Sequence, residues 1–312
     1  MKTYSILNDF AFQWIFNQPG REKILRSLLN AILHFEGKDR IEEIHYLNPF
    51  NLARFEDRKK SIVDIKVRDE KGSWYEVEAQ VCQHSGFIER TVFYLAGLYS
   101  DQGRKGQDFA ELRPAIGISL LGFNLFKSSS RVQEIFALRN TDNSIVLNDT
   151  LMLHYIDLKR YRRKRPFELQ TPFEKWLHLL KFSKAYARMG LKSTAVFPDE
   201  EELAMALEEH VKLNADAAMR LRMEDRERDR IEEIIKHSAA IKEGRAIGRE
   251  EGRVEGRVEG RVEGRVEGRV EGRLEGKNEE KLEIARNLKA EGMPATLIQK
   301  VTGLSEADLD QL

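Results

Sequence analysis

The chain has 312 residues, with 52 Lys+Arg against 52 Asp+Glu for a formal net charge of zero, and is 41% hydrophobic and 33% charged. That length and apolar content allow one large domain with appendages, or two domains, around a sizeable core. The single Cys82 excludes a disulfide scaffold, a structural Cys-zinc site and a Cys-pair redox motif, while the lack of a leader-like segment and the shortness of runs such as VFYLAGLY (92–99) point to a cytoplasmic protein without membrane spans.

The first informative elements lie in residues 61–81, SIVDIKVRDEKGSWYEVEAQV. Val63, Ile65 and Val67 alternate with Asp64, Lys66 and Arg68. Tyr75, Val77, Ala79 and Val81 alternate with Trp74, Glu76, Glu78 and Gln80. This period of two predicts two strands, each with one apolar and one mostly polar face. Glu70-Lys71-Gly72 suits a three-residue hairpin loop with glycine in the left-handed position. In the register that loop sets, paired positions sum to 142, so Val63 faces Ala79, Ile65 faces Val77 and Val67 faces Tyr75. On the other face Lys66 meets Glu76 as an ion pair, and Asp64 lies opposite Glu78 with Gln80 further along the strand.

Two carboxylates directly across a ladder, with Cβ atoms about 5 Å apart, repel one another. One is protonated, or a nearby base relieves them, or a cation bridges them. Oxygen-only ligands suit Mg²⁺ or Mn²⁺, and metal-assisted phosphodiester hydrolysis is the chemistry such a site performs. The alternative is a solvated face of a two-sided hairpin, with Lys66 and Arg68 screening the acids. Spacing alone leaves both open.

Cys82, just beyond Gln80, reads as core packing. Arg90 and Tyr94 stand four apart on one face of the next predicted helix. They form either a phosphate clamp with a supporting ring, or a surface Arg beside a buried Tyr. Residues 159–165, KRYRRKR, place six bases in seven positions: Lys159, Arg160, Arg162, Arg163, Lys164 and Arg165. The run suits a sequence-independent, salt-sensitive contact to a phosphate backbone, or a solvated loop. The seven histidines show no metal-ligand spacing.

A helix-rich stretch, 199–240, opens on acids suited to a helix start and runs into RLRMEDRERDRIEEII, read as an exposed stalk. From Gly244 to Gly276 a glycine then falls at every fourth position, nine of the chain's 21, in units that mostly read Arg-Val-Glu-Gly. In a straight helix each such stripe drifts by about 40° per unit, so no fixed apolar face results. The i,i+4 neighbours carry like charges, and each glycine costs about 1 kcal/mol against alanine. A weakly helical or disordered spacer is the favoured reading; a long helix held by a partner helix is the other. Residues 277–312 then give helix, Gly292, Pro294, helix, Gly303 and a Ser305-x-x-Asp308 cap. The outline is that of a helix-turn-helix. Its last helix, however, offers Glu306, Asp308 and Asp310 and no base, which favours a packing or dimerisation element over DNA readout.

Asp64 followed fourteen residues later by Glu78-Ala79-Gln80 resembles the PD-(D/E)XK nuclease signature, with Gln in the lysine position. The surroundings resemble one branch, the Rpn family of recombination-promoting nucleases and putative transposases. In order stand NDFAFQWIF (8–16), SLLNAIL (27–33), IEEIHYLNPFN (41–51), KKSIVDIKV (59–67), YEVEAQ (75–80) and ERTVFYLAGLYSDQ (89–102). GQDFAELRPAIGISLLGF (106–123) and LMLHYIDLKRY (151–161) complete the series. The likeness covers roughly residues 5–190, and the glycine-charged repeat with a short helical end is similar to family tails.

The resemblance implies an α/β fold: a restriction-endonuclease-like core with a mixed sheet flanked by helices, followed by an all-helical C-terminal extension. It also implies DNA cleavage with Mg²⁺ or Mn²⁺, in recombination or DNA mobility. Carried over, Asp64 and Glu78 hold the metal with the Ala79 carbonyl, and Gln80 replaces the usual lysine as a group that orients water or phosphate. Asp9 matches the family's N-terminal acid as an outer metal contact, or serves as a helix cap. The expected domains are a nuclease-like unit 1–195, a helical stalk 196–240, a repeat spacer 241–276 and a helical end 277–312, with DNA as partner and a possible homo-oligomer through the helical region. The rival reading is a catalytically weak DNA-binding or assembly protein on the same fold. The charges divide as this predicts: residues 1–198 carry +8, 199–240 carry −6, and 277–312 carry −2. DNA is thus expected on the basic core and not on the acidic rear alone.

Overall fold

A computed structural model describes residues 2–48, 64–83, 85–103, 106, 108–162, 165–190 and 196–312. Val63, Arg163 and Lys164 lie outside these. The chain divides into two compact units, Met1–Ile234 and Ile235–Leu312.

In the first unit, Asn8 caps helix α1 (Asp9–Phe16) by accepting from the amides of Phe10 and Ala11. Helix α2 (Glu22–Leu33) buries Ile24, Leu25, Leu28, Leu29 and Ile32, the face expected from spacings of three and four. Strands β1 (Ile44–Tyr46), β2 (Ile65–Asp69) and β3 (Trp74–Gln80) follow as an antiparallel set. The β2–β3 register is the predicted one: Ile65 pairs with Val77, Lys66 with Glu76 and Val67 with Tyr75. Gly72 closes the turn at φ +90°, a region where a side chain would be strained.

Helix α3 (Phe87–Ser100) then carries the chain over one sheet face to β4 (Ala115–Leu121), which runs parallel to β3. Strand β4, AIGISLL, is buried throughout, as a continuous apolar run in the middle of a parallel set should be. Among the described residues, the hairpin of β5 (Gln133–Arg139) and β6 (Val146–Asp157) completes a mixed sheet of six strands, ordered β1-β2-β3-β4-β6-β5. Helices α4 (Pro172–Met189) and α5 (Glu201–Ala215) follow, α4 started by Thr171 and Pro172 and ended by Gly190.

The two sheet faces differ. Tyr75, Val77, Ala79, Ile116, Ile118, Leu120 and Ile156 meet α1, α2, α4 and α5 in the main core. On the opposite face α3 packs Phe87, Leu95 and Leu98 against Leu153 and Tyr155 in a smaller core. The polar face of β3 therefore lies under a helix.

Residues 201–223 are not a free stalk. Leu203, Leu207, His210, Leu213 and Met223 are buried, and Asn214 Oδ1 accepts from the Tyr4 amide at 2.7 Å. Their apolar residues are spaced for one buried stripe, which the abundance of charge obscures. Helix α6 spans Ala217–Ala290, so the glycine repeat is helical here, a form the weakly helical spacer allows.

In the second unit, α7 (Ala295–Thr302) and α8 (Glu306–Asp310) follow Gly292 and Gly303, both at positive φ. Ala285, Ile298 and Leu309 form the core, with Leu288, Leu304 and Leu312 against it. The predicted cap is present: Asp308 donates its amide to the Ser305 hydroxyl at 3.2 Å and accepts from the Ser305 amide at 3.0 Å. Along the repeat the glycines meet nothing, since a Cβ added at any position from Gly244 to Gly276 has no neighbour within 4 Å.

Candidate active site

The site grows from the two-residue period of β3. Glu76, Glu78 and Gln80 share the face that α3 covers, and the antiparallel register places Asp64, one residue before β2, opposite Glu78. The parallel register continues this row outward: Glu78 pairs with Ser119 on β4, and Ser119 with Tyr155 on β6. Helix α3 faces the row with Arg90 and Thr91. A polar line thus crosses the middle of the sheet.

Both oxygens of Glu78 are engaged. The Ser119 hydroxyl donates to Oε1 at 2.9 Å, and Arg90 Nη2 donates to Oε2 at 3.2 Å and to Gln80 Oε1 at 3.4 Å. Gln80 Nε2 donates to the Cys82 carbonyl at 3.0 Å. Beyond Ser119, the Thr91 hydroxyl and the Tyr155 phenol share a hydrogen bond of 2.5 Å. The Arg90 guanidinium also lies over the Phe87 ring.

Glu76 and Glu78 are each only 6% exposed, which removes the solvated-face alternative for both. Burial raises the pKa of Glu78, opposed by the Arg90 charge and reinforced by Asp64. Glu76 is pushed up to about 8, first by burial and then by the Asp64 charge, with Lys66 opposing and a hydrogen bond to Asp64 adding to the rise. The expected Lys66–Glu76 ion pair is absent among the described residues. Instead Glu76 Oε1 is buried without a hydrogen-bond partner among them. Asp64 is held by its backbone, its carbonyl accepting from Asn48 Nδ2 at 2.9 Å while Asn48 Oδ1 accepts from the Lys66 amide.

Asp64 and Glu78 are oxygen donors of the kind a hard divalent cation takes up. Among the described residues no three His, Cys, Asp or Glu side chains form a group that could hold a metal ion; Glu78 is engaged by Arg90 and Ser119. Two carboxylates with water and substrate oxygens are what a magnesium-type ion needs.

Asp9 sits at the first position of α1, where Asn8 rather than Asp9 provides the cap. Asn8 Nδ2 donates to the Met223 carbonyl, so that end of the helix meets α6, whereas its far end, through Phe16 and Tyr46, meets β1. Tyr94 is 38% exposed beside Phe93 and not buried. Strands β3, β4 and β6 end together at Gln80, Leu121 and Asp157, so the basic run leaves the sheet edge nearest Gln80. Within it Lys159, Arg162 and Arg165 are exposed. Arg160 serves the fold: its Nε donates to Asp157 at 2.7 Å and its Nη2 to the Phe126 carbonyl at 2.6 Å, which takes it out of the set expected to touch DNA.

Sequence reasoning missed Glu76, Ser119, Thr91 and Tyr155. A hydroxyl in the otherwise apolar strand AIGISLL was the available signal for Ser119. No pattern within one strand reveals a parallel partner's register, so its meeting with Glu78 was hidden.

Residues 6–240 match the family model described as PD-(D/E)XK nuclease family transposase. Residues 278–312 match that of the Rpn/YhgA-like nuclease family C-terminal HTH domain. The second match corrects the reading of the tail as a mere packing element: its three helices are the helix-turn-helix the spacing outlined. No curated protein and no solved structure matches the chain. No helix among the described residues is long and apolar enough to cross a membrane. With a mixed sheet flanked by helices, buried carboxylates on its middle strands and a match over most of its length, the chain belongs to the PD-(D/E)XK nuclease family of transposase-like proteins.

Proposed function

We propose that the protein is a divalent-metal-dependent DNA endonuclease acting in recombination or DNA mobility. The observation that carries this is Asp64, one residue before β2, set opposite the buried Glu78 of β3, with Arg90 reaching onto both Glu78 and Gln80. Asp64, Glu78 and the Ala79 carbonyl would hold Mg²⁺ or Mn²⁺. When bound, such an ion polarises a phosphoryl oxygen and acidifies water.

The chain's own residues do the rest. Ser119 holds Glu78 through Oε1, which limits the rotamers open to that carboxylate. Gln80 cannot take a proton, but its amide both donates and accepts, which suits it to orient a water or a phosphate oxygen. Arg90 brings the positive charge that glutamine lacks, and at 38% side-chain exposure it can also reach a phosphate. Lys159, Arg162 and Arg165 at the same sheet edge would follow the backbone, and Tyr94 would support it from α3. The helix-turn-helix tail would add a second contact to DNA. Its acidic last helix suits a weak or shape-directed contact better than base readout by Arg.

A plasmid-nicking assay with Mg²⁺ or Mn²⁺ tests the site. Wild type should convert supercoiled to nicked or linear DNA, and Asp64→Ala should lose at least about 100-fold of that rate. Equal cleavage by both proteins overturns the assignment. A folded wild type that binds DNA but cuts with neither metal would establish the other reading, an assembly protein on a nuclease fold.

A further inference from the structure

Two exposed phenylalanines sit on short 3₁₀ turns of the first unit, with different charges beside them. Phe109, 85% exposed, stands between Asp108 and Glu111 on the turn Phe109–Glu111. Phe167, 77% exposed, stands on the turn Pro166–Glu168, directly after the basic run. A single exposed apolar side chain is ordinary and needs no function. Phe167 differs in what accompanies it. The Arg165 guanidinium lies over its ring, 5.8 Å from the centroid, as a cation–π contact. Lys159 and Arg162 of the same run are exposed as well.

The turn is pinned at both ends. Proline restricts the backbone at 166, and Glu168 Oε2 accepts from the Arg165 amide at 2.9 Å. The Glu168 amide donates to the Arg165 carbonyl, also at 2.9 Å. Two residues past the ring, Leu169 is buried in the main core. The chain thus places Leu169 inside and holds Phe167 in water. A flat apolar face next to a guanidinium, in a run of bases, complements a ligand with flat rings along an anionic chain. That is a nucleic-acid strand with unpaired bases: Lys and Arg take the phosphates, and the aromatic ring stacks on a base. Paired bases turn only their edges outward, so an intact duplex offers the ring nothing to stack on. We propose that Phe167, with Arg165, is a stacking platform for an unpaired base of DNA, which makes DNA with a single-stranded stretch the favoured substrate. The inference rests on DNA being the substrate class, as read above, and adds which form of it is gripped.

Binding of the full-length protein in a chelating buffer, where metal-dependent cleavage is suppressed, tests this. Two labelled probes are followed by fluorescence anisotropy, an oligothymidine of about 20 nucleotides and a duplex of equal length. Wild type should bind the single strand. Phe167→Ala should weaken that binding by about 5- to 100-fold, and duplex binding by less than about twofold. Phe167→Trp keeps a π face and should retain the single strand, whereas Phe167→Leu keeps only apolar bulk and should not. Phe109→Ala, which removes a similarly exposed ring, should change neither probe. Circular dichroism checks that each variant is folded. Wild-type affinity for the single strand in Phe167→Ala or Phe167→Leu overturns the proposal. Equal losses on both probes would make the ring a wedge into paired DNA, and overturn it too. Wild type that binds the duplex and not the single strand overturns this inference alone, and wild type that binds neither overturns DNA as the ligand. A selective single-strand loss in Phe167→Ala upholds the platform even where the nicking assay shows no cleavage, so the two readings fail separately.

Discussion

Two regions of this chain set like charges side by side, with opposite consequences. On the polar face of β3, Asp64, Glu76 and Glu78 gather under α3, and the two glutamates are almost fully buried. Along the repeat of α6, Glu255 precedes Glu259 and Arg253 precedes Arg257 at i,i+4, and every residue of the repeat is exposed. In water, neighbouring like charges cost a few tenths of a kcal/mol per pair and are screened further by salt. Out of water, burial first and the neighbouring Asp64 charge second push Glu76 up to about 8. The same conflict in sequence therefore shifts an acid's pKa where it is buried and is a tolerated composition where it is solvated.

Replacing Arg90 should break the contrast most sharply. Its guanidinium is the nearest positive charge to Glu78, so Arg90→Ala leaves that carboxylate more strongly opposed to ionisation. Cleavage should fall by about 10- to 1,000-fold in Arg90→Ala, and be only partly restored in Arg90→Lys, which keeps the charge and loses the two-point reach to Glu78 and Gln80. Wild-type rates in Arg90→Ala would show that its charge is not part of the site.

Acidity sharpens the comparison next. The folded pKa of Glu76 lies above its ordinary value of 4.5, so the native state binds the extra proton and stability declines as pH rises from about 4.5 to about 8. In a chelating buffer the melting temperature of wild type should fall over that window more than that of Glu76→Gln. Parallel pH profiles would show that the group ionises without cost.

A smaller effect is expected from the tail. Leu309 is buried against Ala285 and Ile298, and Leu309→Ala should weaken this small unit by about 2–3 kcal/mol. Fluorescence or amide exchange should show it opening while the nuclease unit is unmoved. The smallest effect belongs to the repeat itself. Because no glycine there has a neighbour for an added Cβ, Gly256→Ala with Gly260→Ala should raise helicity, by about 1 kcal/mol for each site. A loss of helicity or solubility would mean that the glycines serve a close approach by another chain.

Much of this was legible from the residues, for reasons that differ by region. The β2–β3 register followed from strict alternation and Gly72, both local. The C-terminal turns followed from Gly292, Gly303 and the Ser305–Asp308 cap, also local. The burial of the polar face did not, because it depends on α3 crossing over to a parallel strand. Thus Glu76 read as a sensible partner for Lys66, when the covering helix leaves it facing Asp64. Arg160 read as a DNA contact from its place in a basic run, whereas Asp157 and two carbonyls of the 126–129 turn claim it. The docking of 201–223 was hidden by charge density, and the helix through the repeat by the weight of its glycines.

The central claim is that the carboxylates beneath α3 are gathered for a cation. Its most direct test is the melting temperature of the full-length protein near pH 7.5 as Mn²⁺ is added, for wild type, Asp64→Asn and Glu78→Gln. A ligand that binds only the folded state raises stability with its concentration. Wild type should melt progressively higher with Mn²⁺, and either variant should lose most of that rise while melting at or above wild type without metal. A wild-type melting temperature that does not respond to Mn²⁺, or a response equal in all three proteins, would contradict it.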